Sequence, residues 1–200
     1  MVHTLQAQKK VGMVIQLDLS KAYDKVSREY IEAILVAFGF RHCWIKWILA
    51  LVKTPSYSIL VNGAPTTPFT PSRGIGQGDP ISPFLFVIVM EGLSRIIKSA
   101  KESKSIKGLQ HLPNCPATTH QQFVDDTMLH GMPLVKEAQG FKEILDLFSL
   151  ASGMDLNLDK SSIFFFNTHL AIQRHLTTIL GFKRRCLPSK YLEIPLTDKP

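Results

Sequence analysis

The 200-residue chain predicts an α+β fold, an antiparallel sheet backed by helices, on three observations. Apolar and polar residues alternate from Val11 to Leu19, the period-two pattern of a strand. Other, longer stretches repeat apolar residues at helical spacing. The remaining strand-like runs are short and bounded by turn residues. The resulting order is strand, helix, helix, hairpin, helix, two strands, helix, strand, which is the layering of an α+β domain.

In the first strand Met13, Ile15, Leu17 and Leu19 share one face, and Val14, Gln16 and Asp18 share the other. Asp18 thus falls near the strand end, opposite the purely apolar face. A helix follows from Ser27, a suitable cap, through Ile31, Ile34, Leu35 and Phe38, and Gly39 stops it. A second helix from Cys43 to Lys53 aligns Ile45, Ile48, Leu49 and Val52. Tyr57 to Val61 reads as a strand closing at Asn62-Gly63, a strong hairpin signal. The stretch from Ala64 to Pro83, rich in Pro, Gly, Thr and Ser, is a loop feeding a helix over Phe84 to Lys98. Pro83 suits that helix's first turn, and Glu91 and Arg95 stand in the favourable i, i+4 order. A loop from Gly108 to Ala117 leads to strands Thr118 to Val124 and Thr127 to His130, turning at Asp125-Asp126. Lys136 to Ala151 is an amphipathic helix with Phe141, Ile144, Leu145 and Phe148 inward and Gly153 past its end. Ser162 to Phe166 is a short apolar strand. From Leu176 to Pro200 the pattern is less periodic, broken by Pro188 and Pro195.

A hydrophobic fraction of 45% excludes a disordered chain, and a formal net charge of +7 favours a polyanionic partner. Cys43, Cys115 and Cys186 are scattered without Cys-x-x-Cys spacing, which argues for a reducing compartment over a disulfide framework or zinc module. Met1 to Lys10 lacks the apolar centre of a signal peptide. The longest apolar stretch, Ile81 to Ile97, is interrupted by Ser82, Pro83, Glu91, Ser94 and Arg95, so it is too polar to span a bilayer. The expectation is a soluble intracellular chain of the nucleus or cytoplasm, neither secreted nor membrane-bound.

Three segments carry the chemistry. Gln16-Leu17-Asp18-Leu19-Ser20-Lys21-Ala22-Tyr23-Asp24 ends an apolar run in a carboxylate. Roughly a hundred residues later, Phe123-Val124-Asp125-Asp126 sets paired carboxylates behind apolar residues, a combination suited to a two-metal phosphoryl-transfer centre. Between them lies Arg73-Gly74-Ile75-Gly76-Gln77-Gly78-Asp79-Pro80-Ile81-Ser82-Pro83. In this order the three resemble the palm of a reverse transcriptase, most closely that of plant-type non-LTR (LINE-type) retrotransposons. Two later stretches extend the resemblance: Leu147 to Ser161, with its Asn157-x-x-Lys160-Ser161 ending, and Leu187 to Leu196. A group II intron maturase is a weaker match.

The resemblance implies an RNA-directed DNA polymerase that extends a DNA primer on an RNA template with deoxynucleoside triphosphates. It also implies two Mg2+ ions, for which Mn2+ can substitute. Asp18 and Asp125 are the expected direct ligands, the Leu19 carbonyl a third, and Asp126 a less direct contributor to catalysis. Read alone, Asp125-Asp126 equally suits a plain β-turn. Tyr23 is expected beneath the incoming sugar, where it would exclude a 2′-hydroxyl, although a core tyrosine satisfies the same residues. Gln77 and Gly78 are expected to approach the nucleotide, against the plainer reading of a loop whose Asp79 or Ser82 caps the next helix. Lys160 suits a general acid for the leaving pyrophosphate, or a surface partner of Asp159 or Asp155. Asp24 is expected to be structural, pairing with Lys25 or Arg28 or capping a turn. The lysines at 98, 101, 104 and 107 and the Lys183-Arg184-Arg185 run suit nucleic-acid phosphates or plain solvation.

This chain has Gly76 where the family usually has Arg, and Glu193 where it usually has Gly. The resemblance places a palm at 11–168, with remnants of the fingers, and the end of the palm and start of the thumb connection at 169–200. Most of the fingers and thumb are expected to be absent. The alternative is a catalytically inactive palm-like remnant that at most binds nucleic acid.

Overall fold

The computed structural model describes residues 10–110 and 115–186, and the backbone of 189–191 and 194–196. Its centre is a five-stranded sheet in the order β5 (His120–Phe123), β6 (Asp126–Gly131), β1 (Gly12–Leu17), β8 (Ser162–Phe166), β9 (Lys183–Arg184). Strand β1 lies in the middle, antiparallel to β6 and to β8. Strand β5 pairs antiparallel with β6, and only the edge strand β9 runs parallel to its neighbour. The antiparallel expectation holds, with a parallel edge added.

The predicted first strand divides at Asp18. Beyond it, β2 (Leu19–Ser20) leaves the central sheet and pairs with β7 (Asp155–Leu156), just after the predicted helix over 136–151. Alternation along β1 behaves as its pattern requires. Met13, Ile15 and Leu17 enter the main core, while Val14 joins a smaller cluster with Leu109, Met128, Phe164 and Phe166 on the opposite face. Both faces are therefore covered, the helices taking one of them.

After a four-residue turn of helix, α1 (Ala22–Lys25), helix α2 (Arg28–Ala37) is capped by Ser27, whose hydroxyl accepts the Tyr30 N–H at 3.1 Å. Helix α3 (His42–Lys53) buries Ile45, Ile48, Leu49 and Val52, the stripe its periodicity marks. The Asn62-Gly63 turn joins β3 (Leu60–Val61) to β4 (Ala64–Pro65), with φ of 50° and 83°. The preceding strand is shorter than predicted; Tyr57 meets Phe69 only in an isolated bridge.

Helix α4 (Ser82–Glu102) has Pro83 in its first turn and runs four residues beyond its predicted end at Lys98. No side chain caps it, so neither Asp79 nor Ser82 plays that part. The Arg95 guanidinium sits 3.9 Å above the Phe38 ring rather than bridging to Glu91. Helix α5 (Val135–Ser152) buries Phe141, Ile144, Leu145 and Phe148 and ends at Gly153 with φ of 74°. Helix α6 (Leu170–Leu180), which the sequence reading did not identify although Ile172, Leu176, Ile179 and Leu180 stand at helical spacing, buries Leu176 and Leu180. With Phe182, these two residues join the main core. A backbone hairpin, β10 (Ser189–Tyr191) and β11 (Ile194–Leu196), closes the described chain, and Glu193 lies outside the described residues.

Candidate active site

Asp18, Asp125 and Asp126 meet at one end of the central sheet. The β1–β6 register pairs Leu17 with Thr127, so the next position along brings Asp18 opposite Asp126. On the other side of β6, Phe123 pairs with Asp126. The turn is therefore Val124-Asp125, one residue earlier than the predicted Asp125-Asp126. The positive φ of Val124, 55°, at the first loop position is the pattern of a type II′ hairpin. A β-branched residue there is strained, by roughly 1–3 kcal/mol. The one-residue shift separates the two carboxylates: Asp125 is exposed in the turn, and Asp126 is half-buried at the start of β6.

The charges of Asp125 and Asp18 both act on Asp126. Partial burial raises the Asp126 pKa above its ordinary value, and the negative charges of Asp125 and then Asp18 push it the same way. Tyr23 is raised first by burial and then by the charge of Asp125. The carboxylate end of the sheet and the tyrosine are neighbours.

Tyr23 also stacks on the fully buried Phe86, with ring centroids 4.6 Å apart and planes 15° apart. The reading of Tyr23 as a core tyrosine describes how its ring packs. Its ring packs on the core, while the residue lines an open cleft of about 570 Å³ with Gln77, Gly78, Asp79, Pro80, Ser82 and Pro83. The three residues expected to meet a nucleotide share this cleft.

The glycine loop is docked by its backbone onto the segment after Asp18. The Gly74 N–H donates to the Val26 carbonyl and the Ile75 N–H to the Tyr23 carbonyl, each at 2.8 Å. Gln77 Nε2 reaches Asp24 Oδ1 at 3.3 Å, which gives Asp24 a structural partner other than Lys25 or Arg28. Lys25 instead pairs with Asp155 at 2.6 Å. Beside Gly76, the place of a Cβ is crowded by the Asp79 carboxylate oxygen at 2.9 Å and the Tyr57 hydroxyl at 3.4 Å. A longer residue here would have to displace the Asp79 side chain.

Lys160 is exposed on the turn after β7, and its suggested partners are engaged elsewhere, Asp159 with Lys183 at 2.7 Å and Asp155 with Lys25. That pairing and the Lys101 bond to the Ala117 carbonyl at 2.6 Å give two of the basic residues structural work. The sequence reading missed the backbone contacts of Asp18. Its N–H donates to Ser161 Oγ at 3.0 Å and its carbonyl accepts the Asn157 N–H at 2.8 Å. Because residues 18 and 157 bond in this way, ladder alternation turns the Leu19 carbonyl away from β7.

Carboxylates and a main-chain carbonyl are the hard oxygen donors that Mg2+ takes, and a divalent cation would relieve the repulsion that adds to burial in raising Asp126. The donor set fits such an ion. Among the described residues no group of three or more His, Cys, Asp or Glu side chains is already gathered as a metal cluster. Nor is any described helix long and apolar enough to cross a membrane.

Residues 1–187 match the family of reverse transcriptases (RNA-dependent DNA polymerases). The Pol polyprotein of the type-2 retrotransposable element R2DM from Drosophila melanogaster is 30% identical over 147 residues, covering 74% of this chain and 13% of its own length. An uncharacterized mitochondrial protein of Arabidopsis thaliana is 44% identical over 68 residues, covering 34% of this chain and 56% of its own length. The chain thus spans only part of these relatives. Among solved structures, telomerase from Candida tropicalis, in complex with a fragment of telomeric RNA, superposes with a TM-score of 0.62 at 12% identity. That match covers 82% of this chain and 27% of the telomerase, and it shows a shared fold.

Proposed function

This chain belongs to the reverse transcriptase family and, by its relatives, to the non-LTR retrotransposon type; on that footing we propose that it forms the catalytic palm of an RNA-directed DNA polymerase. The observation that carries the reading is the meeting of Asp18, Asp125 and Asp126 at one sheet end, next to the cleft lined by Tyr23, Gln77 and Gly78. Asp18, Asp125 and the Leu19 carbonyl would hold two Mg2+ ions, or Mn2+ in their place, and Asp126 adds negative charge behind them. When bound, such ions stabilise the attacking and leaving oxygens of an in-line displacement at phosphorus.

In that displacement the primer 3′-oxygen forms a bond to the α-phosphorus of a deoxynucleoside triphosphate, and the bond to pyrophosphate breaks. Tyr23 forms the floor under the sugar, braced from behind by Phe86, and leaves little room for a 2′-hydroxyl. Gln77, anchored to Asp24, orients the sugar and base, and Gly78 lets the backbone approach them. Lys160, on the turn that contacts Asp18, is assigned as the proton donor to pyrophosphate. An RNA template and a DNA primer are the polyanions that match the net charge of +7, met in the nucleus or cytoplasm.

The test is RNA-templated primer extension by a parent protein carrying this segment. Asp18→Ala and Asp125→Ala should each abolish extension with Mg2+ or Mn2+. Extension that survives both substitutions would refute the assignment.

A further inference from the structure

Resting on the metal site proposed above, we propose that Ser161 and Asn157 are positioning residues that fix the main chain of Asp18 and thereby aim its carboxylate. Asp18 lies where the chain leaves the central sheet and enters the two-residue ladder of β2 with β7. Ser161 takes up its N–H. This hydroxyl accepts the Asp18 N–H at 3.0 Å and, more weakly, faces the Asp18 carbonyl at 3.5 Å. That same carbonyl accepts the Asn157 N–H at 2.8 Å. Both peptide groups flanking the Asp18 Cα are therefore tied to one turn.

The turn is itself closed. Asn157 Oδ1 accepts the Lys160 N–H at 3.2 Å, and the Asn157 carbonyl accepts the Ser161 N–H at 2.8 Å. Ser161 is fully buried, and the next residue, Ser162, begins β8 opposite Gln16 of β1. The hydroxyl therefore has a fixed origin in the same sheet that carries Asp18. Fixed peptide groups leave the Asp18 Cα–Cβ bond little freedom, and small errors in the placement of reacting groups are costly. Residues that orient a metal ligand in this way commonly change metal affinity about 10–100-fold when removed.

Neighbouring Ser162 separates this role from ordinary core packing. It is equally buried, and its hydroxyl has no hydrogen-bond partner among the described residues. Residues 1–200 would be titrated with Mn2+, with free ion followed by electron paramagnetic resonance, and amide exchange at Asp18 followed in the absence of metal. Asp125→Ala should remove the site. Ser161→Ala should weaken Mn2+ binding about tenfold and speed exchange at the Asp18 amide, whereas Ser162→Ala should leave both unchanged. Equal Mn2+ affinities for Ser161→Ala and Ser162→Ala, with Asp125→Ala still abolishing binding, would overturn the positioning role alone. Wild-type binding that is indifferent to Asp125→Ala would overturn the metal site and the positioning role with it. Should Ser161→Ala not fold, Asn157→Ala decides. It removes only the Lys160 anchor of the turn, so it should give a smaller loss of affinity with faster Asp18 exchange; no change in either would refute the role.

Discussion

Replacing Gly74 by alanine should unseat the glycine loop, and Gly78 provides a control of nearly the same φ. Gly74 has φ of +82°, and a Cβ there would stand 2.6 Å from the Asp24 carbonyl oxygen, 2.8 Å from its carbon and 2.9 Å from its Cα. All three are backbone atoms, so no side chain can turn aside to relieve the contact. Gly78 has φ of +93° with nothing within 4 Å of the same position. Left-handed strain alone costs about 1–2 kcal/mol for an L-residue. Overpacking against atoms that cannot move adds about 1–3 kcal/mol more. Gly74→Ala should therefore destabilise by roughly 2–5 kcal/mol and Gly78→Ala by about 1–2 kcal/mol. Urea unfolding followed by circular dichroism measures both, provided the m-values agree. Losses within about 0.5 kcal/mol of each other, the usual scatter of independent surface changes, would show that the loop does not press against Asp24. The docking of Gly74 and Ile75 onto the segment after Asp18 would then be wrong.

The remaining predictions concern charge and sugar. Asp126 holds its proton more tightly in the folded chain than in the unfolded one, because burial and then Asp125 and Asp18 raise its pKa above the ordinary 3.8. Its contribution to stability is therefore present below that ordinary value and is lost as pH rises through the raised one. Asp126→Asn should raise the Tm at neutral pH by about 1–2 °C, as expected for less than about 1 kcal/mol in a chain of this size. It should make no difference in acid near the ordinary carboxylate pKa, and a neutral-pH Tm that falls would contradict the repulsion. Tyr23→Val, in an active parent protein, should increase ribonucleotide incorporation relative to deoxynucleotide. It should also cost about 0.5–1.5 kcal/mol for the lost stack on Phe86, beyond the area it exposes. Loss of stability with unchanged sugar selection would leave Tyr23 a core residue only.

Much of this architecture was legible because local rules and burial agree. The stripes Ile31-Ile34-Leu35 and Ile45-Ile48-Leu49-Val52 are buried as their spacing requires, Ser27 caps its helix, and Asn62-Gly63 turns its hairpin. The carboxylate segments could be recognised from their apolar flanks and order along the chain. What escaped the sequence depends on partners far away. The turn register at Val124-Asp125 is set by the pairing of Phe123 with Asp126, and the break of the first strand at Asp18 by the ladder with residues near 156. Ser161 reaches Asp18 across 143 positions, with no local pattern to announce it. Glu137 is a similar case. On an amphipathic helix it would be read as solvated, yet it is 3% exposed and accepts the Lys107 and Gly108 N–H groups, at 2.7 Å for the closest.

The polymerase reading stands or falls on whether Asp18 and Asp125, from distant parts of the chain, share one divalent-ion site. Anomalous diffraction from crystals of residues 1–200 soaked in Mn2+ would answer this without recourse to activity. The expected result is a peak roughly 2.0–2.2 Å from a carboxylate oxygen of each residue, the spacing of hard oxygen ligands around a small divalent ion. Mn2+ bound elsewhere, or at one of the two aspartates with the other turned away, would contradict a shared site.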